Sequence, residues 1–318
     1  MISFPEMLPD ELFYSCCSRY HNESGNETTS QTMKELFGNT GLKITCMFPS
    51  HLDNFVKRYN SKWGRISNHD ILMNHTNYPL FRLFLGREQS EMILKMIGGN
   101  LKFRPHFILG IKNNLWEQEL SFCSDCVKED DLIYGFPYWH RLHQAPGVLF
   151  CPRHCKRLKK SCPKCSFKFE VKNNFLGIKR FCRCGHDFSR DMANQVASIH
   201  EYSAQKELLS ISQDIAYIIS GNFNTGHQWQ QLYREYISKT NYCSLTGRLN
   251  QRALANDFIS FFSKPTLKIL ECELSNINWI QHFFNSKQNV YHPIKHMLFI
   301  RFLFGSISNF YNDVREAA

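Results

Sequence analysis

The sequence predicts a mainly α-helical protein with small β elements confined to its middle, and three observations predict it. Apolar residues recur at helical spacing up to about residue 100 and again after Asn194. Between Trp116 and about Arg190 that periodicity fades, and aromatic residues, prolines and basic residues surround paired cysteines. Eight of the thirteen cysteines lie from Cys123 to Cys184. These changes set boundaries near 115 and 192. They divide the chain into an N-terminal helix-turn-helix-type bundle (1–115), a cysteine-rich segment (116–192) and a C-terminal helical domain (193–318). An apolar fraction of 43% with 14% aromatics excludes a disordered or fibrous class.

In the first segment, Asp10 is placed to cap a helix whose apolar positions are Leu12, Phe13, Cys16, Cys17 and Tyr20, ending near Gly25. A second helix runs from Ser30 through Met33, Leu36 and Phe37 to Gly38. A third opens at Ser50, with Asp53 as a capping-box partner and Leu52, Phe55, Val56 and Tyr59 as its stripe. Lys57, Arg58, Lys62 and Arg65 follow that stripe, where a helix-turn-helix would face DNA or a partner. Further turns are expected at Asp70–His75, Pro79–Leu85 and Glu88–Ile97, before Gly98-Gly99. In the last segment Leu208, Ile211, Ile215, Ile218 and Ile219 mark one helix. Asn250 opens another, with Leu254, Phe258, Ile259 and Phe262, stopped by Lys264-Pro265, and an apolar stretch covers Ile294 to Leu303.

The middle segment carries the chemistry. Its pairs are Cys123-x2-Cys126 with Cys151-x2-His154, then Cys162-x2-Cys165 with Cys182-x-Cys184. Two cysteines on a tight turn place both sulfurs on one side, and two such knuckles complete a tetrahedral shell with Zn–S of about 2.3 Å. The spacing therefore predicts tandem zinc ribbons with two structural Zn²⁺ ions, one held by three cysteines and a histidine and the other by four cysteines. Four protein donors leave no position for a reacting water. Cys155, His140, His143 and His186 are spare donors, and Cys155 adjoins His154. His292-Pro293-Ile294-Lys295-His296 reads as the packing of a helix start more readily than as a metal pair. The scattered Cys16, Cys17, Cys46, Cys243 and Cys272 read as core residues.

The net charge of +10 concentrates in the same place. Residues 121–190 hold 14 Lys+Arg against 6 Asp+Glu, while the flanking segments are each near balance. Zinc and its thiolates would lower this local excess without abolishing it. Arg153, Lys156, Arg157, Lys159, Lys160, Lys164, Lys179, Arg180 and Arg183, interleaved with Phe167, Phe169, Phe175 and Phe181, are the candidate phosphate contacts to double-stranded DNA. No phosphate-binding loop, dinucleotide fingerprint or H-E-x-x-H motif occurs, so no catalytic residue is assigned. The opening residues have no signal-peptide pattern, and no apolar run approaches the length of a membrane span, so a cytoplasmic protein is expected.

Several stretches together resemble the TniQ/TnsD family, the target selectors of heteromeric bacterial transposons. They are Phe4-Pro5, Pro9-Asp10-Glu11-Leu12, Ser15 to Arg19, Leu36-Phe37-Gly38-Asn39, Phe48-Pro49-Ser50-His51-Leu52 and His75-Thr76-Asn77-Tyr78-Pro79-Leu80. Phe122-Cys123-Ser124-Asp125-Cys126, Tyr138-Trp139, Cys151-Pro152-Arg153-His154, the paired knuckles Cys162-Pro163-Lys164-Cys165 and Cys182-Arg183-Cys184-Gly185, and the His292 motif with Leu298 to Gly305 follow in order. The resemblance implies a non-enzymatic protein that binds attachment-site DNA, or docks on an RNA-guided complex already on DNA. It further implies recruitment of an AAA+ ATPase regulator and thereby the transposase. Cys155 stands where such proteins often have Gly, and TnsD-type members are commonly longer.

Overall fold

A computed structural model describes residues 2–42, 45–99, 109, 119–171, 175–190, 199–221, 223, 229–244, 246, 248–274, 279–284 and 292–316. The boundaries expected near 115 and 192 lie outside the described residues. The chain forms two compact units, one of residues 1–79 with 88–194 and one of residues 80–87 with 195–318.

Helices dominate both. The N-terminal series is α1 (Phe13–Ser24), α2 (Thr29–Phe37), α3 (Leu52–Lys62), α4 (Asn68–His75), α5 (Tyr78–Arg82) and α6 (Arg87–Gly98). Two of the caps differ from those the sequence suggested. Asp10 does not cap α1: its backbone is left-handed, and its carboxylate binds Arg141 and His140 instead. The Ser50–Asp53 box does not form. α3 begins after His51 with no side-chain cap, whereas Thr28 with Gln31 and Ser67 with Asp70 make full capping boxes for α2 and α4. Phe4, Tyr20, Phe55, Tyr59 and Trp63 meet at 5–6 Å with mixed tilted, stacked and edge-on geometries, and Phe13 and Phe37 close on Phe55. Arg58 is used internally. It donates to the Glu35 carbonyl at the end of α2 and lies over Gly38, where a Cβ would stand 2.6 Å from its guanidinium.

In the middle segment a helix that periodicity did not reveal, α7 (Ser124–Tyr134), follows Cys123. Its buried positions are Ser124, Cys126, Val127 and Asp130, so its inner face carries sulfur and carboxylate in place of an apolar stripe. The expected β ribbons reduce to isolated antiparallel bridges, among them Phe122 with Lys159, Phe150 with Arg157, Ser161 with Lys168 and Phe181 with Asp187. Around them Leu12, Tyr14, Leu120, Phe122, Val127, Trp139, Cys162, Phe169, Ile178, Cys182 and Phe188 form one core.

The N-terminal signature is fastened to this core. Leu12 N–H donates to the Trp139 carbonyl (2.8 Å), Arg141 N–H to Asp10 (2.8 Å), and the Tyr138 hydroxyl to Pro9 (2.9 Å). Arg141 pairs with Asp10 at 2.9 Å and also donates to the Met73 and Thr76 carbonyls, while the fully buried Glu11 pairs with Arg19 at 3.0 Å. His140 lies between Asp130 (2.9 Å) and Asp10 (3.5 Å). Burial opposes its charge, but hydrogen bonds and Coulombic attraction from those two carboxylates prevail and hold it up to about 9, against an ordinary 6.5. A raised folded pKa contributes stability below pH 6.5 that disappears as pH rises toward 9, on the order of 3 kcal/mol. The urea midpoint of the metal-loaded protein is therefore expected to fall between pH 7 and 9.5, and Asp130→Asn should flatten the fall. A midpoint level across that range would refute the assignment.

The second unit contains α8 (Ile199–Ser220), α9 (Trp229–Ser238), α10 (Gln251–Phe261), α11 (Lys264–Ile269), α12 (Pro293–Phe304) and α13 (Ile307–Glu316). Lys264-Pro265 does stop α10, but proline in the first turn also starts α11, capped by Ser263. Tyr233, Phe283, Phe299 and His296 pack at the centre, with the Tyr233 hydroxyl 3.0 Å from His296 Nδ1. His292 and His296 are both buried here as packed residues at the start of α12. Among the described residues no helix is long and apolar enough to cross a membrane.

Candidate metal centres

The structure brings the eight paired residues together as two groups of four, Cys123, Cys126, Cys151 and His154, and Cys162, Cys165, Cys182 and Cys184. Within each, the four donor atoms lie within 4.8 Å of one another. The sulfurs of Cys126 and Cys151 are 3.7 Å apart, Cys162 and Cys184 3.7 Å, and Cys165 and Cys182 3.6 Å. A disulfide needs about 2.05 Å. A tetrahedron with Zn–S of about 2.3 Å places its sulfurs about 3.8 Å apart, which is the spacing found. His154 Nδ1 stands 3.6, 3.3 and 3.5 Å from Cys123, Cys126 and Cys151, close to the roughly 3.5 Å expected between a nitrogen and a sulfur donor on one zinc. The donor set and its spacing fit zinc at both groups.

Three of the four donor pairs sit in tight hairpins. Cys151 N–H bonds to Lys156, Cys162 N–H to Phe167 and Cys182 N–H to His186, at 2.8–2.9 Å. Each hairpin needs a left-handed residue after its second donor: Cys155 (φ 55°), Ser166 (φ 56°) and Gly185 (φ 81°). The fourth pair is different, because Cys123 occupies the N-cap position of α7, without a side-chain cap bond, and Cys126 lies in its first turn. A thiolate there also gains from the positive end of the helix.

Cys155 is thus a backbone position. Its side chain is exposed and outside the group, and its N–H bonds to the Cys151 carbonyl at 2.8 Å. Cys155→Gly is expected to keep every metal equivalent and to leave stability unchanged or raise it by up to about 1 kcal/mol, since glycine relieves the left-handed strain. Loss of one metal equivalent would make Cys155 a ligand. Of the other spare donors, His140 is held by Asp10 and Asp130. His143 is buried, its Nε2 3.7 Å from the Cys126 sulfur, and burial first, then the His140 charge, lowers it to about 3. His186 packs on Phe188.

The groups differ in exposure. Cys123, Cys126 and Cys151 are buried, whereas Cys165 is exposed and Cys184 half-buried. They differ also in surroundings. Glu129, which the spacing rules did not single out, accepts from His154 Nε2 at 2.9 Å and from Arg153 at 2.5 Å. A carboxylate three residues after Cys126 on a helix was the only available signal, and it required knowing that α7 exists.

The nine basic residues divide. Arg153 pairs with Glu129, Lys156 with Asp125 (2.8 Å), and Arg180 with Asp131 (3.0 Å) and Asp187 (3.2 Å). The carboxylates Asp125, Glu129 and Asp131 all belong to α7. Lys159 and Lys160 are half-buried, and Lys159 exchanges two backbone hydrogen bonds with Phe122. Arg157, Lys164, Lys179 and Arg183 are exposed, with no ion pair among the described residues. Arg183 lies 4.3 Å over the Phe167 ring.

The TniQ family profile matches residues 2–158, and the profile described as Tn7-like transposition protein D, TnsD, matches residues 211–318. The first cysteine group lies inside the TniQ match and the second between the two. The Transposon Tn7 transposition protein TnsD of Escherichia coli is 28% identical over 156 residues, which are 48% of this chain and 30% of that relative. The matched stretch thus spans less than a third of that protein's length.

Proposed function

This chain belongs to the TniQ/TnsD family, and from that premise we propose that it selects target sites for a Tn7-like transposon, binding attachment-site DNA and recruiting an AAA+ ATPase regulator. The observation that carries the reading is the succession of TniQ and TnsD matches along one chain, with a basic, cysteine-anchored segment between and within them. Two Zn²⁺ ions are structural in this reading. Cys123, Cys126, Cys151 and His154 hold one, Cys162, Cys165, Cys182 and Cys184 the other, and neither shell has room for a reacting water. The chain is an adaptor in the cytoplasm, working on the nucleoid, and carries no catalytic residue. Its partners are double-stranded DNA, the ATPase and, through it, the transposase.

A second reading draws on the pairing of Arg153, Lys156 and Arg180 with nearby carboxylates, which reduces the positive surface offered to phosphate. In it the chain docks on an RNA-guided DNA-targeting complex and reads little DNA itself. Retention assays separate the two. Under the favoured reading the ATPase stays on target duplex only when this chain is present, without any RNA-guided complex, and each protein tightens the other's binding by the same factor. Retention that requires the RNA-guided complex would favour the second. DNA cleavage by the zinc-loaded chain alone, abolished by one carboxylate substitution, would overturn both.

A further inference from the structure

We propose that Glu129 is the positioning residue of the first metal site, fixing the His154 ring for coordination and making this site the tighter of the two. The inference rests on the reading of both cysteine groups as zinc sites. α7 supplies both Cys126 and, one turn later on the same face, Glu129. The ligand and the carboxylate are therefore carried by one rigid element.

His154 has its two nitrogens in different surroundings. Nδ1 faces the three sulfurs at 3.3–3.6 Å, and Nε2 faces Glu129 Oε1 at 2.9 Å. A neutral imidazole carries one N–H. With that proton on Nε2 donated to Glu129, the Nδ1 lone pair is directed at the metal position. The other carboxylate oxygen is held by Arg153, the residue before His154. Arg153 and His154 thus clamp Glu129 from one hairpin, and the ring cannot turn without breaking a charged contact. The second group has four thiols and no imidazole to orient. Its Cys165 is exposed, and its Cys184 is half-buried.

The test uses the full chain loaded with zinc and, separately, with Co²⁺, titrated against a chromophoric chelator. Three-sulfur-one-nitrogen and four-sulfur Co²⁺ sites have distinct visible spectra, so each site is followed on its own. In wild type the four-sulfur signal is expected to be lost at lower chelator concentration. Glu129→Ala should weaken the first site by about 10–100-fold and leave the four-sulfur site unchanged. Glu129→Gln keeps an oxygen acceptor for the Nε2 proton and should recover most of the affinity. Nitrogen NMR of His154 should show Nδ1 metallated in wild type and in Glu129→Gln. Unchanged affinity at the first site in Glu129→Ala would overturn the proposal, as would equal weakening of both sites, which marks a general loss of fold. A wild-type chain that holds no metal is a separate result, which removes the zinc reading itself.

Discussion

Stripping metal at neutral pH is expected to unfold the unit of residues 1–79 and 88–194 and to leave the helices of the other unit in place. A structural zinc site supplies about 10–16 kcal/mol of binding free energy to folding. That matches or exceeds the entire stability of an ordinary domain, about 5–15 kcal/mol. Here the ligands are also core residues. Cys162 and Cys182 pack with Leu12, Tyr14, Trp139 and Phe188, so losing the second ion opens the core into which the N-terminal signature is bonded. Without the first ion, three buried thiols and an imidazole are left crowded together without a counter-charge. The second unit has no such group among its described residues and is closed by Tyr233, Phe283, Phe299 and His296. Hydrogen exchange after chelation should show protection lost over 119–190 and kept over 199–220 and 293–304. Cys126→Ser and Cys165→Ser should each reproduce the loss. Full protection over 119–190 in metal-free protein would sink the zinc-dependent fold.

The donor pairs were legible because their geometry is local. Two or three residues of spacing determine where both donors of a pair point, whatever the rest of the chain does. The long-range step, which pair meets which, was constrained by order alone. The hidden helix α7 shows the limit. Periodicity detects apolar stripes, and the inner face of α7 presents Cys126, Val127 and Asp130, whose burial is satisfied by a donor cluster and by His140. The hidden helix also conceals Glu129, Asp125 and Asp131, its carboxylates that pair with Arg153, Lys156 and Arg180, because they lie 24 to 49 residues away in sequence. The role of Asp10 is hidden in the sequence for a related reason. An acidic residue before an apolar stripe suits a helix cap, but the buried Arg141 and His140 offer it a stronger use. The aromatic centre of the second unit was readable as apolar helix and no further, since its polar contact, Tyr233 to His296, joins residues 63 apart.

The division of the basic residues yields the sharpest test of DNA contact. Arg157, Lys164, Lys179 and Arg183 are exposed and have no ion pair among the described residues, which makes them the four to test for phosphate contact. Reversing all four to Glu should lower affinity for every duplex alike by about three orders of magnitude near 0.1 M salt. It should also reduce the slope of log K against log salt by about 3–4, close to one unit per lost contact. Arg153 and Lys156 serve as the internal comparison. Their charges are already balanced by Glu129 and Asp125, so reversing these two should change the slope far less. Retention of both metal equivalents in each variant separates lost contact from lost fold. A uniform fall across specific and random duplex marks positioning contacts, whereas a fall confined to the attachment site would mark base reading. Unchanged affinity and slope after the fourfold reversal would return the basic run to a solvated surface and transfer the case to docking on a complex already on DNA.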